Sequence, residues 1–226
     1  DEAKKLGLGS SAAAQKAKDA TEVSPDTHRL VFENAYVRVV EARIATGRKT
    51  PMHSHPDRLA VILSPARVKL TSPAGTASYS DQRPGAAFWV PAEEHSAEVL
   101  AGTVHLFLIE PKGPKPPAAA RKARDETEVA PDVARVVFEN AQVRVVEGRA
   151  ATGEKVPLHS HPPRVGIIFS PARIKHTDRD GKSEVADLRP GEARWSEAVE
   201  HSSEVLVGPL HYILVEIKAA SATVAR

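Results

Sequence analysis

The chain has 226 residues, with 31 basic and 29 acidic side chains interleaved throughout and a formal net charge of +2. No block of like charge calls for nucleic acid or an anionic membrane surface, and at 4% aromatic residues there is no base-stacking platform. The absence of cysteine excludes a disulfide and a thiolate metal site and leaves the compartment open. No apolar run is long enough to span a bilayer, since the most apolar stretch, Val205–Ile217, is interrupted by Gly208, Pro209 and His211. The chain begins at Asp1 and not at methionine. A cleaved export signal and a trimmed tag explain this equally well, so exported and cytoplasmic locations stand level.

In chain order, residues 1–20 read as an extension. Leu6–Ser11 is flexible in composition, and Ala12–Ala20 carries helix formers without a wide apolar face. Residues 21–112 form a first unit of short, turn-bounded segments. Tyr36–Ile44, Leu59–Leu63, Val68–Thr71 and Val104–Ile109 are rich in β-branched residues and several alternate, as strands do. Pro84-Gly85 marks a turn, as does Gly75. Residues 113–126 (GPKPPAAARKARDE) read as a semi-rigid linker with a helix-forming second half. Residues 127–218 form a second unit and residues 219–226 a short tail. The two units are copies: a shift of 106 residues aligns Thr21–Lys112 with Thr127–Lys218 without a gap, and 53 of the 92 positions are identical. Many short strands with Gly/Pro punctuation predict an all-β sandwich or closed barrel in each copy, with no amphipathic helix inside either.

The repeat carries a histidine pattern. Gly47-x5-His53-Ser54-His55-Pro56 recurs as Gly153-x5-His159-Ser160-His161-Pro162. Further on, Pro84-Gly85, Trp89 and His95 recur as Pro190-Gly191, Trp195 and His201, while the second copy lacks the proline of the motif and has Glu197 where the first has Pro91. Each copy resembles a cupin, the small double-sheet jelly-roll barrel, so the chain is similar to a two-barrel cupin. The resemblance implies one divalent metal per barrel at most, Fe, Mn, Zn or Ni. It would be held by His53, His55 and His95 in the first barrel and by His159, His161 and His201 in the second. The family's glutamate ligand is missing: Leu59 or Ala60 and Val165 or Gly166 stand in its place. Val99 and Val205 replace the asparagine of the second motif. Some cupin dioxygenases use three histidines without the carboxylate. On a strand, residues i and i+2 share a face, so His53 and His55 can both point inward, with His95 joining from another strand. Three imidazoles leave room for water or substrate on the metal.

His105 and His211, on the last predicted strand, are candidates for a fourth ligand because they share a face with Phe107 and Ile109 or with Ile213 and Val215. The simpler reading is a strand histidine bonded to a neighbour. Only His28 and His176 have no counterpart across the repeat. Arg58 and Arg164 are candidates to face an anionic substrate. Trp89, Trp195 and Arg194 are candidate pocket residues, with Phe88 in place of Arg194 in the first copy. Arg38 and Arg144 read as solvent-side strand residues. Glu94 and Glu200 adjoin the third histidine but point the other way. The leading expectation is a metal-binding bicupin that binds, and as an enzyme transforms by oxygenase or decarboxylase-type chemistry, a small polar metabolite. The competing one is a non-catalytic small-molecule-binding barrel with inherited or empty metal sites. Pairing of exposed sheet edges would give a homodimer.

Overall fold

The structure, a computed structural model, describes residues 17–117 and 123–219. The first copy opens with a four-residue helix, α1 (Ala20–Val23). It is followed by β1 (His28–Glu33), β2 (Val37–Ile44), β3 (His53–His55), β4 (Arg58–Ile62), β5 (Ala66–Thr71), β6 (Ala77–Gln82), β7 (Ala87–Val90), β8 (Glu93–Gly102) and β9 (Val104–Pro111). The second repeats this order with α2 (Glu126–Val129), β10 (Ala134–Glu139), β11 (Val143–Ala150), β12 (Lys155–His161), β13 (Arg164–Ile168) and β14 (Ala172–Asp178). It ends with β15 (Ser183–Leu188), β16 (Ala193–Ser196), β17 (Val199–Val207) and β18 (Leu210–Ile217). Among the described residues these short helices are the only ones, and none is long and apolar enough to cross a membrane. The Pro-Gly turns fall where expected: Gly85 and Gly191 adopt φ of 84° and 77°, a region where a Cβ would be strained.

Each copy closes two antiparallel sheets on each other. The first barrel has sheets of order β1-β2-β9-β4-β7 and β3-β8-β5-β6. The second has β10-β11-β18-β13-β16 and β12-β17-β14-β15. Alternation then sorts each strand. On β2, Val40, Ala42 and Ile44 point into the first barrel, packing on Ala60, Val68, Ala97 and Leu108. Val37 and Val39 point outward, yet are also fully buried. They share one apolar cluster with Leu59, Val61, Phe107 and Ile109 and with Val143, Val145, Val165, Ile167, Ile213, Val215 and Ile217 of the second barrel. The two five-stranded sheets therefore pack face to face, and each is buried on both sides. Each such side chain contributes about 1.5–3 kcal/mol when fully buried, so the shared layer binds the barrels firmly.

The repeated contacts reach back past Thr21 and Thr127. Ser54 and Ser160 donate their N–H groups to the carbonyls of Lys18 and Arg124 at 2.9 and 2.8 Å. Asp19 and Asp125 cap the short helices and hold Arg38 and Arg144 at 2.8 and 2.9 Å. The same guanidinium groups reach Glu110 and Glu216 at 2.6 and 2.7 Å. Arg38 and Arg144 are thus not solvent-side strand residues. They are largely buried clamps joining the entry segment to the barrel, because long cationic stems pack along apolar surface while their heads find carboxylates. Lys18 and Asp19, and Arg124 and Asp125 at the equivalent positions, thus contact the barrels that follow them. Most of the Ala12–Ala20 helix expectation, the helix-forming centre of the linker and the end of the C-terminal tail lie outside the described residues.

Candidate metal centres

The short strand β3 is buried at all three residues, and His53 and His55 project from it to the same side. Antiparallel pairing of β3 with β8 sets His95 directly opposite His53. In the second barrel, β12 and β17 set His201 opposite His159. The three rings converge in both. Centroid distances are 4.8 Å (His53–His55), 4.7 Å (His53–His95) and 5.2 Å (His55–His95) in the first barrel. The matching separations in the second are 4.7, 4.8 and 5.4 Å. The sequence repeat is therefore also a repeat of side-chain placement.

Second contacts fix how these rings face. Nδ1 of His53 lies 2.8 Å from the Pro51 carbonyl, and Nδ1 of His159 lies 2.7 Å from that of Pro157. A carbonyl only accepts, so Nδ1 carries the proton and the Nε2 lone pair turns to the cluster. Nε2 of His53 is buried without a hydrogen-bond partner, and Nε2 of His159 sits 2.9 Å from Nε2 of His161. Burial pushes His53, His55, His159, His161 and His201 below the ordinary histidine range, with neighbouring cations adding to the effect. Neutral, converging imidazoles with an orphaned nitrogen fit a divalent transition metal.

Each barrel adds a fourth histidine, and the two come from different places. His28, at the start of β1 and 4% exposed, lies 5.1 Å from the His53 ring and 5.8 Å from that of His55. Nitrogens of His28, His53 and His55 all lie within 4.8 Å of one another, as do those of His159, His161 and His201. His176, on β14, stacks on His201 at 4.3 Å, with Nδ1 3.1 Å from Ser203 Oγ. The counterparts of these two residues are Ala134 and Leu70. Sequence comparison of the copies hid both, because a residue unique to one copy breaks the repeat. The available signal was strand alternation, which puts His176 on the inward face of Ala172 and Ile174.

The surroundings also differ. In the first barrel Arg58 Nη2 donates to Glu93 Oε1 at 2.6 Å, and that oxygen lies 3.2 Å from His95 Nδ1. The histidine and the guanidinium hold the Glu93 carboxyl down at about 2. This site opens on a cavity of about 190 Å³, lined largely by apolar side chains such as Ala60, Val68, Leu70, Phe88 and Leu108. In the second barrel Val199 replaces Glu93, and a cleft of about 500 Å³ runs past Arg164, His176, Val199 and His201. Behind His161 lies Glu126, which is 5% exposed, with Oε2 3.9 Å from His161 Nε2. Tyr212 donates to its Oε1 at 2.5 Å, and burial raises the carboxyl to about 7.

Several expected site residues lie elsewhere. His105 and His211 are on the inter-barrel face of the sheet, where each sits 3.0 Å from a glutamate, Glu41 or Glu147. Neither joins a histidine cluster, and the reading as a strand histidine bonded to a neighbour is the one the geometry matches. Trp89 and Trp195 pack on the inter-barrel core, and Trp195 stacks on Tyr36 of the other barrel at 6.0 Å. A sheet buried on both faces leaves apolar alternation unable to tell inside from outside. Arg194 turns its guanidinium outward to Glu192 at 2.6 Å and does not line the cleft, as a long cationic side chain on an edge strand does. Glu94 and Glu200 face away from the clusters, accepting from the N–H groups of Ala17 and Ala123. Arg58 and Arg164 do border the sites.

No family model matches the sequence, and no curated protein matches it. Among solved structures, a variant of oxalate decarboxylase from Bacillus subtilis is similar over 83% of this chain and 71% of its own, at 14% identity and a TM-score of 0.56. A second structure of that enzyme, described by its Mn(II) centres, aligns over 83% of this chain and 70% of its own, with 14% identity and a TM-score of 0.53. A cupin 2 conserved barrel domain protein from Leptotrichia buccalis aligns over 85% of this chain and 88% of its own, with 11% identity and a TM-score of 0.51. Similarity at these identities is similarity of fold, and it agrees with the strand order and the paired sheets: the chain is a two-barrel cupin by fold.

Proposed function

We propose that this chain is a metal-dependent bicupin in which each histidine cluster takes one divalent transition metal and the second barrel binds and transforms a small polar metabolite. The observation that carries the reading is the convergence of neutral imidazoles, two of them oriented by carbonyls of Pro51 and Pro157. His53, His55 and His28 or His95 would hold the first ion, and His159, His161 and His201 the second. A metal so held supplies Lewis acidity and a template for substrate. The chain's own residues supply the rest. His176, set by Ser203, walls the second site, and Glu126 can keep a proton at Oε2 beside His161. Arg58 and Glu93 neutralise each other over the first site, which leaves it an apolar and charge-balanced interior. We assign turnover to the second barrel for this reason. The class of chemistry we favour is decarboxylase-type or oxygenase chemistry, since an oxalate decarboxylase, described by Mn(II) centres, shares the fold.

The test is metal content by plasma mass spectrometry on protein purified without added metal. The expected result is about two equivalents of one transition metal. His53→Ala and His159→Ala should each lower it by about one. Content unaffected by both substitutions, or no metal after reconstitution, would instead favour the non-catalytic binding barrel with inherited histidines.

A further inference from the structure

We infer that the second barrel contains a carboxylate-binding site at Arg164, in the place that the Glu93 carboxylate fills in the first barrel. This deepens the proposal above by naming the substrate class of the same site.

The two barrels provide an internal comparison. Arg58 and Arg164 are equivalent, both buried, and both anchored through Nη1 by two backbone carbonyls. Arg58 donates to Pro56 and Pro91 at 3.2 Å. Arg164 donates to Pro162 and Glu197 at 3.3 and 3.2 Å. The guanidinium groups are therefore held in the same pose. They differ at Nη2. That of Arg58 meets the Glu93 carboxylate at 2.6 Å, and the same oxygen lies against His95. In the second barrel the equivalent residue is Val199, and no carboxylate comes within ion-pair distance of Arg164 among the described residues. Arg164 is 7% exposed, and its hydrogen bonds go only to carbonyls; the buried carboxylates that act on it, Glu216 and Glu126, do so through space and not by a direct ion pair.

Leaving a buried guanidinium without a directly bonded carboxylate is costly even where carboxylates act on it through space, and a charge-assisted bond from a ligand carboxylate is the ordinary remedy. The remedy has a route in, because Arg164, Val199 and His201 all border the cleft. A ligand carboxylate seated as Glu93 is would bridge Arg164 Nη2 and the outer edge of His201. The rest of the ligand would extend along His176, Ser183 and Ser196. Asp178, Lys182 and Glu184 also line the cleft but are exposed, and the Glu197 carboxylate is engaged by Trp195 Nε1 at 2.6 Å. The first barrel, whose arginine already has its carboxylate, takes no such ligand.

The experiment uses the full chain stripped of metal, so its outcome does not depend on the metal reading. Acetate is titrated against wild type, Val199→Glu and Glu93→Val, followed by amide NMR shifts and by melting temperature in acetate against chloride. Wild type should bind one acetate, with shifts centred on residues 164, 199 and 201. Val199→Glu, which supplies the protein's own carboxylate, should weaken binding at least tenfold. Glu93→Val should gain a second site, and acetate should raise its melting temperature more than it raises that of wild type. The inference is overturned if wild type does not respond to acetate or if Val199→Glu binds as wild type does. Glu93→Val that folds without gaining a site also overturns it. Loss of metal binding with acetate binding intact would fell the metal proposal and leave this one standing.

Discussion

Replacing Phe107 by alanine tests the claim that the two barrels form one cooperative unit. Phe107 is 1% exposed and lies in the layer shared by both five-stranded sheets, with Ile213 at the equivalent position of the other barrel. Truncating a fully buried phenylalanine costs about 3–5 kcal/mol, from lost transfer free energy and the cavity left behind. For 226 residues, an unfolding entropy of about 2.1 cal/mol/K per residue converts this to a fall in Tm of roughly 6–11 °C. Because Phe107 packs in the same cluster as Val143, Val145 and Ile213, both barrels should lose stability together. Differential scanning calorimetry of the metal-free protein should show one transition, shifted as a whole, with calorimetric and van't Hoff enthalpies in agreement. Two resolved transitions, only one of them moved, would show that the barrels unfold independently and make the shared layer incidental.

Three further outcomes follow from the same geometry. Metal-free protein should lose stability as pH falls below about 6.5. His28, His55, His161 and His201 resist protonation in the fold but accept it when unfolded. Since His28 is pushed down to about 4, its share accrues between the ordinary histidine value and that pH; each histidine held neutral costs about 1.4 kcal/mol per pH unit over its window. Urea midpoints at pH 7, 6 and 5 measure the slope, and a flat profile would contradict it. Arg38→Ala should destabilise by about 2–4 kcal/mol, because Glu110, which is 3% exposed, loses its counter-charge. Arg38 is itself partly solvated, and a loss under about 0.5 kcal/mol in chemical denaturation would show the clamp to be a surface pair. His28→Ala should weaken metal binding in the first barrel roughly 10–100-fold and leave the second unchanged. His176→Ala should do the converse, and competition titration against a chelator separates the two sites.

The sequence was most informative where one residue pattern had one structural solution. The histidines two apart on β3 and β12 had to share a face, and the resemblance to a cupin implied His95 and His201 as their partners. It was least informative on direction. His105 and Trp89 alternate with apolar residues as inward-facing side chains would. Yet the outer face of the same sheet is buried against the other barrel, and the period of two is identical for both faces. Identity between copies likewise drew attention to shared residues and away from differences. His28, His176, Glu93 and Glu126 each occur in one copy only, and they are what makes the two sites chemically distinct. The entry clamps escaped notice because Asp19 and Arg38 are 19 residues apart and carry no local signature of contact.

Both histidine clusters are proposed to hold metal. Crystals of protein purified without added metal, measured above and below the absorption edge of whichever element fluoresces, test it most directly. Two anomalous peaks are expected, one among His28, His53, His55 and His95 and one among His159, His161 and His201. No peak at either cluster, before or after soaking with manganese, iron, nickel or zinc, would contradict it.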